Sequence, residues 1–253
     1  MIDFNNKREL AVFGAYLSML AYLSETKQRK YIDKHIKNYT LAQDSHKSLQ
    51  YFVLKDHDNK KTYISIRGTD TSNFKESIRD LKVSLNLLPK KVYGHKVHRG
   101  YAKAGDALLR SLMPHIVDNY GYELIFVGHS LGGVLARYCG IVSGKVCKIL
   151  TYGSPKLAER GFYADLSGVD ITCYVNIDDI IPQFSVLYDD CRAQNHFILD
   201  DDKKYKYMGM VRGYLLPLLG IIRNTILGNV VVGLKAHSIK NYIRHLTKLS
   251  KLK

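Results

Sequence analysis

The sequence predicts an α/β domain built on a mostly parallel sheet with helices on both faces. Three observations predict it. Strand-like and helix-like runs alternate through the middle of the chain. Leu124, Ile125, Phe126 and Val127 are all apolar, as in a strand buried on both sides. The glycine-rich turn Gly128-His129-Ser130-Leu131-Gly132 then joins that strand to a stretch with helical apolar spacing. A chain of 253 residues, 46% of them hydrophobic, is long enough to bury a sizeable core. With no repeat, low-complexity run or proline-rich linker, it reads as a single domain over 1–253.

Each element has its own signal. Residues 8–23 read as an amphipathic helix with Phe13, Tyr16, Leu17, Leu20 and Leu23 on one side. Residues 51–54 and 63–66 read as strands of a hairpin around His57-Asp58-Asn59-Lys60. Residues 102–120 read as a helix with Leu108, Leu112 and Ile116 inward and a kink expected at Pro114. After the strand at 122–127, the helix from 131 to 142 carries Leu131, Val134, Leu135, Tyr138, Cys139 and Val142 on one face. Residues 146–152 and 171–175 read as further strands. Residues 238–249 read as a last helix with Ile239, Tyr242, Ile243, Leu246 and Leu249 inward.

Composition narrows the function. The 38 basic and 23 acidic residues leave a formal charge of +15, which favours an anionic partner. The basic residues are scattered, with denser spots at 27–37 and 235–253, and no zinc-finger or RNA-binding pattern accompanies them. Nucleic acid is therefore not expected, and anionic lipid head groups fit the charge as well. Cys139, Cys147 and Cys173 fall on inward positions and read as buried thiols; with Cys191 they form no CxxC pair or metal cluster, so no metal or cofactor is expected. The first residues, with Asp3 ahead of Lys7 and Arg8, do not read as a secretory signal.

The chemistry gathers at Ser130. A serine between glycines on a tight strand-to-helix turn has its hydroxyl thrust out of the sheet, with neighbouring N–H groups aimed at the same space. Its hydroxyl needs a base, and the base an orienting acid. On such a sheet the order is serine, acid, histidine. Asp178 and Asp179 both follow the strand at 171–175, and His196, His237 and His245 remain downstream. Position favours His237, which directly precedes the last helix.

Six stretches then resemble the class 3 lipases, the group that includes the filamentous-fungal triacylglycerol lipases. They are Ile66-Arg67-Gly68-Thr69, Val97-His98-Arg99-Gly100-Tyr101, the turn from Gly128 to Gly133, Thr151-Tyr152-Gly153-Ser154-Pro155, Asn176 to Pro182, and His237. In family order they span about residues 50–240. The resemblance implies an α/β-hydrolase fold and a lipid-ester hydrolase with no cofactor. It selects Asp179 over Asp178 through the family's N-x-x-D-x-V-P pattern, with Ile181 in place of valine. It implies Ser130, Asp179 and His237 as catalytic, Thr69 and the N–H of Leu131 as the oxyanion hole, and Asp80, Gly128, His129 and Gly132 as supports.

Two segments are candidates for lipid contact. Residues 72–88, in the family's lid position, mix Phe74, Ile78, Leu81 and Val83 with Lys75, Arg79 and Lys82; they read as a lid or as a helix packed on the core. The apolar insertion at about 211–234 is interrupted by Pro217, Gly220, Arg223 and Gly228. It reads as a core helix or an interfacial element rather than a transmembrane span. The expected substrate is an acylglycerol or a phospholipid, approached at an anionic membrane surface. The alternatives are a silent lipid- or protein-binding domain and a small-molecule esterase or acyltransferase on the same fold. The expected setting is the cytoplasm or, as for toxic bacterial lipases of this kind, export without a leader.

Overall fold

A computed structural model describes residues 6–46, 49–69, 88–164, 166–183, 188, 195–200, 203–207, 233 and 235–251. The lid-like residues 72–87 with Asp80, the insertion at 211–234 apart from Gly233, and Cys191 lie outside the described residues.

Eight strands form the main sheet: β1 (Tyr39–His46), β2 (Leu49–Asp56), β3 (Lys61–Ile66), β6 (Glu123–His129), β7 (Cys147–Tyr152), β8 (Val169–Asn176), β9 (Asn195–Asp200) and β10 (Lys203–Tyr207), side by side in that order. The four central pairings, from β3–β6 to β8–β9, are parallel. The edges are antiparallel: β1–β2–β3 is a meander and β9–β10 a hairpin. A separate hairpin, β4 (Pro89–Val92) with β5 (His95–His98), precedes helix α3 (Arg99–Val117). Among the described residues the remaining α-helices are α1 (Lys7–Leu20), α2 (Glu25–Ile32), α4 (Leu131–Val142) and α5 (Ile239–Ser250).

Strand β6 shows why the sheet takes helices on both faces. Phe126 packs with Leu135 and Tyr138 of α4 and Leu108 of α3 in one apolar layer. Ile125 and Val127 join Phe13 and Leu17 of α1 and Tyr242 and Leu246 of α5 in the other. Alternate residues of a strand point to opposite faces, so a strand covered twice must be apolar throughout. Truncating a wholly buried Phe such as Phe126 costs about 3–5 kcal/mol.

Helix α1 is closed at its start by Asn6, whose side chain accepts the N–H of Arg8 at 2.9 Å. Helix α3 starts three residues before the apolar spacing suggests, because the His98 ring accepts the N–H of Tyr101 at 3.4 Å and caps it. Pro114 falls in the last turn of α3. Cys139, Cys147 and Cys173 are buried and form no disulfide among the described residues. Burial pushes the Cys147 thiol up to about 12, so it stays protonated.

At the foot of the sheet, Glu123 is held between Lys61 and Lys148, each ammonium 2.5 Å from one carboxylate oxygen. Burial alone would raise the Glu123 pKa, but the bonds from Lys148 and Lys61 outweigh it and hold it below the ordinary 4.5. A depressed folded-state value stabilises the fold above the unfolded value and loses that contribution as the pH falls through the folded one. Thermal melts are therefore expected to lose stability below pH 4.5, and Glu123→Gln to flatten that acid limb. An unchanged slope in the variant would refute the assignment.

Candidate active site

The parallel strands all end on one edge, and the candidate residues collect there. Strand β6 runs into Ser130, which sits at φ 57° and ψ −129°, a conformation costly for any residue with a side chain. The turn is held by the Ser130 N–H on the Tyr152 carbonyl at 3.0 Å and by the Ser130 carbonyl accepting the Gly133 N–H at 3.0 Å. Glycine at 132 is a matter of space: a Cβ there would lie 2.1 Å from the Ile66 carbonyl oxygen. The start of α4 is thereby pressed against the end of β3. The same approach brings Gly68 to the turn, where its own Cβ would stand 3.3 Å from Cβ of Ser130. Thr69 is the next residue, partly exposed, and Leu131 supplies the first N–H of α4.

The acid and the histidine meet. Asp179 lies in the loop after β8, 1% exposed. Its Oδ1 accepts the Ile181 N–H at 2.9 Å, and its Oδ2 accepts Nδ1–H of His237 at 2.8 Å. Asp178 is half-buried and takes no part in that bond. His237 sits just ahead of α5, 3% exposed. Because Nδ1 carries the proton toward Asp179, Nε2 presents its lone pair, and among the described residues it has no hydrogen-bond partner. Ser130 is thus not hydrogen-bonded to His237 in this state. Catalytic hydrogen bonds commonly close only when substrate is bound. Gly153 at φ 60° leaves room for the pair, since a Cβ would fall 2.7 Å from Asp179 Oδ2 and 3.0 Å from His237 Nδ1.

The other two histidines go elsewhere. Residue 196 sits within β9, in register with Cys173, rather than at the strand's end. His245 on α5 donates from Nδ1 to the Asn176 side-chain oxygen at 3.0 Å.

Three residues make supporting contacts; Tyr242 and Asn176 escaped the sequence reading, whereas His129 was expected as a support. The Tyr242 hydroxyl donates to Asp179 Oδ2 at 2.6 Å and accepts the Asn176 N–H at 3.0 Å. Burial and the Asp179 carboxylate raise its pKa far above the ordinary value, so it remains a donor. Its inward helical position was legible as core; its hydroxyl's target was not. Asn176 ties the acid loop to the histidine loop by donating its amide to the Ala236 carbonyl at 2.8 Å. His129 lies against the His237 ring at 4.6 Å between centroids and donates Nε2–H to the His237 carbonyl at 2.7 Å. Its Nδ1 then accepts the Tyr22 hydroxyl at 3.1 Å. Complete burial, then the neighbouring His237, hold the His129 pKa well below 6.5, against the opposing carbonyl bond. His129 is therefore a neutral brace for the His237 backbone, not a second charge beside it.

Among the described residues no group of three or more His, Cys, Asp or Glu is placed to hold a metal ion. None of the described helices is long and apolar enough to cross a membrane.

Residues 63–188 match the family described as lipase (class 3). The chain is 28% identical over 145 residues to the lipase of Rhizopus niveus, covering 52% of this chain and 36% of that protein. It is 32% identical over 166 residues to diacylglycerol lipase-alpha of Rattus norvegicus, covering 58% of this chain and 16% of that one. It superposes on the solved lipase II from Rhizopus niveus with a TM-score of 0.65 at 17% identity, covering 82% of this chain and 86% of that structure. The fold is that of the α/β-hydrolases, and the chain belongs to the class 3 lipase family. It spans about a third of the length of the fungal relatives it matches.

Proposed function

We propose that this protein is a serine hydrolase that cleaves carboxylic esters of lipids, an acylglycerol lipase or phospholipase A working through an acyl-enzyme. The observation that carries the reading is the buried Asp179–His237 hydrogen bond of 2.8 Å beside the strained turn that carries Ser130. In this reading the Ser130 hydroxyl loses its proton to His237 Nε2 as its oxygen attacks the ester carbonyl. Asp179 holds the imidazole in the tautomer that makes Nε2 the acceptor and stabilises the imidazolium that forms. The N–H of Leu131 and the N–H and hydroxyl of Thr69 receive the developing oxyanion, each such donor contributing about 3 kcal/mol in the transition state. His237 returns the proton to the leaving alcohol, and water releases the acid by the same route in reverse. Gly128 and Gly132 shape the turn, and His129 supports His237.

The charge of +15 supports work at an anionic lipid surface. The test is to incubate the purified protein with vesicles of mixed phosphatidylcholine and phosphatidylglycerol, and separately with emulsified trioleoylglycerol, and to identify products by mass spectrometry. Free fatty acid from either is expected, faster on vesicles of higher anionic content and slower with added salt. Folded protein that releases no fatty acid from any of these would overturn the reading.

A further inference from the structure

A cavity of about 550 Å³ opens beside the nucleophile turn, on the α1 side of the sheet. Its origin is visible along the strands. The positions of β1, β2 and β3 that face α1 are apolar lower down, at Leu41, Phe52, Leu54 and Tyr63. Toward the nucleophile end the same face turns polar: Gln43, Ser45, Gln50 and Arg67. Helix α1 stops at Leu20 and the chain turns away into α2, so among the described residues no apolar stripe covers these positions. The space left between them and the turn at 21–24 is the cavity.

Its walls are braced. Gln28 of α2, 2% exposed, donates to the Leu20 and Leu23 carbonyls at 3.0 Å each and accepts from the Gln43 amide. Arg67 donates to the Gln50 side-chain oxygen and lies over the Tyr22 ring, 5.6 Å from its centroid. One wall residue, Tyr22, reaches from the cavity to the turn that carries Ser130. A Cβ on Gly68 would stand 2.4 Å from the Tyr22 hydroxyl oxygen and 3.3 Å from Ser130 Cβ, so Tyr22 and the serine flank one small residue.

We infer that this cavity is a subsite for a neutral, polyhydroxylated head group on the alcohol side of the ester, an inference that rests on the hydrolase reading above. Amides and hydroxyls offer donors and acceptors at once, which is what a cluster of alcohols requires. An acyl chain would strip water from these groups and return nothing. Among the described residues of the lining Arg67 is the one cation, and Gln50 and Tyr22 already engage it, so a hydroxyl-rich group fits better than a phosphate. Sugar, inositol and glycerol head groups share this chemistry. A site built to hydrogen-bond hydroxyls discriminates strongly against an analogue lacking them.

Two measurements test it, the first without turnover. Full-length Ser130→Ala protein is mixed with hexyl glucoside, hexyl phosphate or hexanol, each below its aggregation limit, and binding is followed by saturation-transfer NMR. Saturable binding of the glucoside, at least about tenfold tighter than hexanol or hexyl phosphate, and its loss in Ser45→Trp or Gln50→Leu, is the expected result. Equal binding of all three, tighter binding of the phosphate, or full binding by a folded Gln50→Leu variant overturns the subsite. In the second, protein with Ser130 intact is given octanoyl glucose and ethyl octanoate. A kcat/KM preference of about tenfold or more for the sugar ester is expected, falling to parity in Gln50→Leu with ethyl octanoate turnover unchanged. No preference, or an equal loss on both esters, also overturns it. Glucoside binding without hydrolysis of either ester would instead refute the hydrolase reading and leave the cavity assignment standing.

Discussion

Alanine at position 130 is expected to abolish turnover of a short-chain p-nitrophenyl ester, a loss on the order of 10⁶-fold, while the protein stays folded. The side chain is nearly buried and makes no structural hydrogen bond among the described residues; the turn is held by the backbone of Ser130 through Tyr152 and Gly133. Removing Oγ therefore takes away the nucleophile and little else. Alanine keeps the unfavourable φ of 57°, so its melting temperature should match the wild type. Glycine at the same position should be equally inactive and more stable by about 1 kcal/mol, because it relieves the backbone strain. Activity near the wild-type rate in either variant would remove Ser130 from the reaction. Unfolding of both would show that the hydroxyl has a structural partner.

Asparagine at position 179 is expected to lower kcat by about 10⁴-fold with KM little changed. Among the described residues the Asp179 carboxylate is an acceptor in every hydrogen bond it makes: from the Ile181 N–H, from Nδ1–H of His237 and from the Tyr242 hydroxyl. An asparagine that keeps its oxygen on Ile181 turns an NH₂ group toward the other two. Two donors then face each other at His237 Nδ1. The imidazole relieves this by moving its proton to Nε2, where it can no longer take one from serine. The fold should survive, since the amide fills the same volume. A loss smaller than tenfold would show that the 2.8 Å bond to His237 does not set the tautomer.

Both outcomes depend on how the sequence reports its own structure. The α/β class and the central strands were legible because a strand buried on both faces must be apolar at each position, as Leu124 to Val127 are. The nucleophile turn was legible because its glycines are demanded by local crowding, which sequence records directly. Strand β1 was not, because Tyr39 to His46 alternates weakly and carries Gln43 and Ser45 where, among the described residues, the α1 side has no apolar cover. The β4–β5 hairpin escaped for a similar reason: it is short, basic and largely exposed. At the site, order along the chain left Asp178 and Asp179 equivalent, and only the family pattern chose between them. The structure brings Asp179 and His237 together. Tyr242 and Asn176 were hidden because their part is played across 66 residues of chain, a separation no local pattern encodes.

Helix α5 carries a consequence for how the protein comes into being. Asp179 gains the Tyr242 hydroxyl only after the last helix has been made and has docked against α1. Ser130, Asp179 and nearly the whole sheet precede, along the chain, both His237 and the Tyr242 hydroxyl that bind the carboxylate. Folding of the sheet alone therefore leaves the Asp179 carboxylate without His237 and Tyr242, and docking of α5 completes the group.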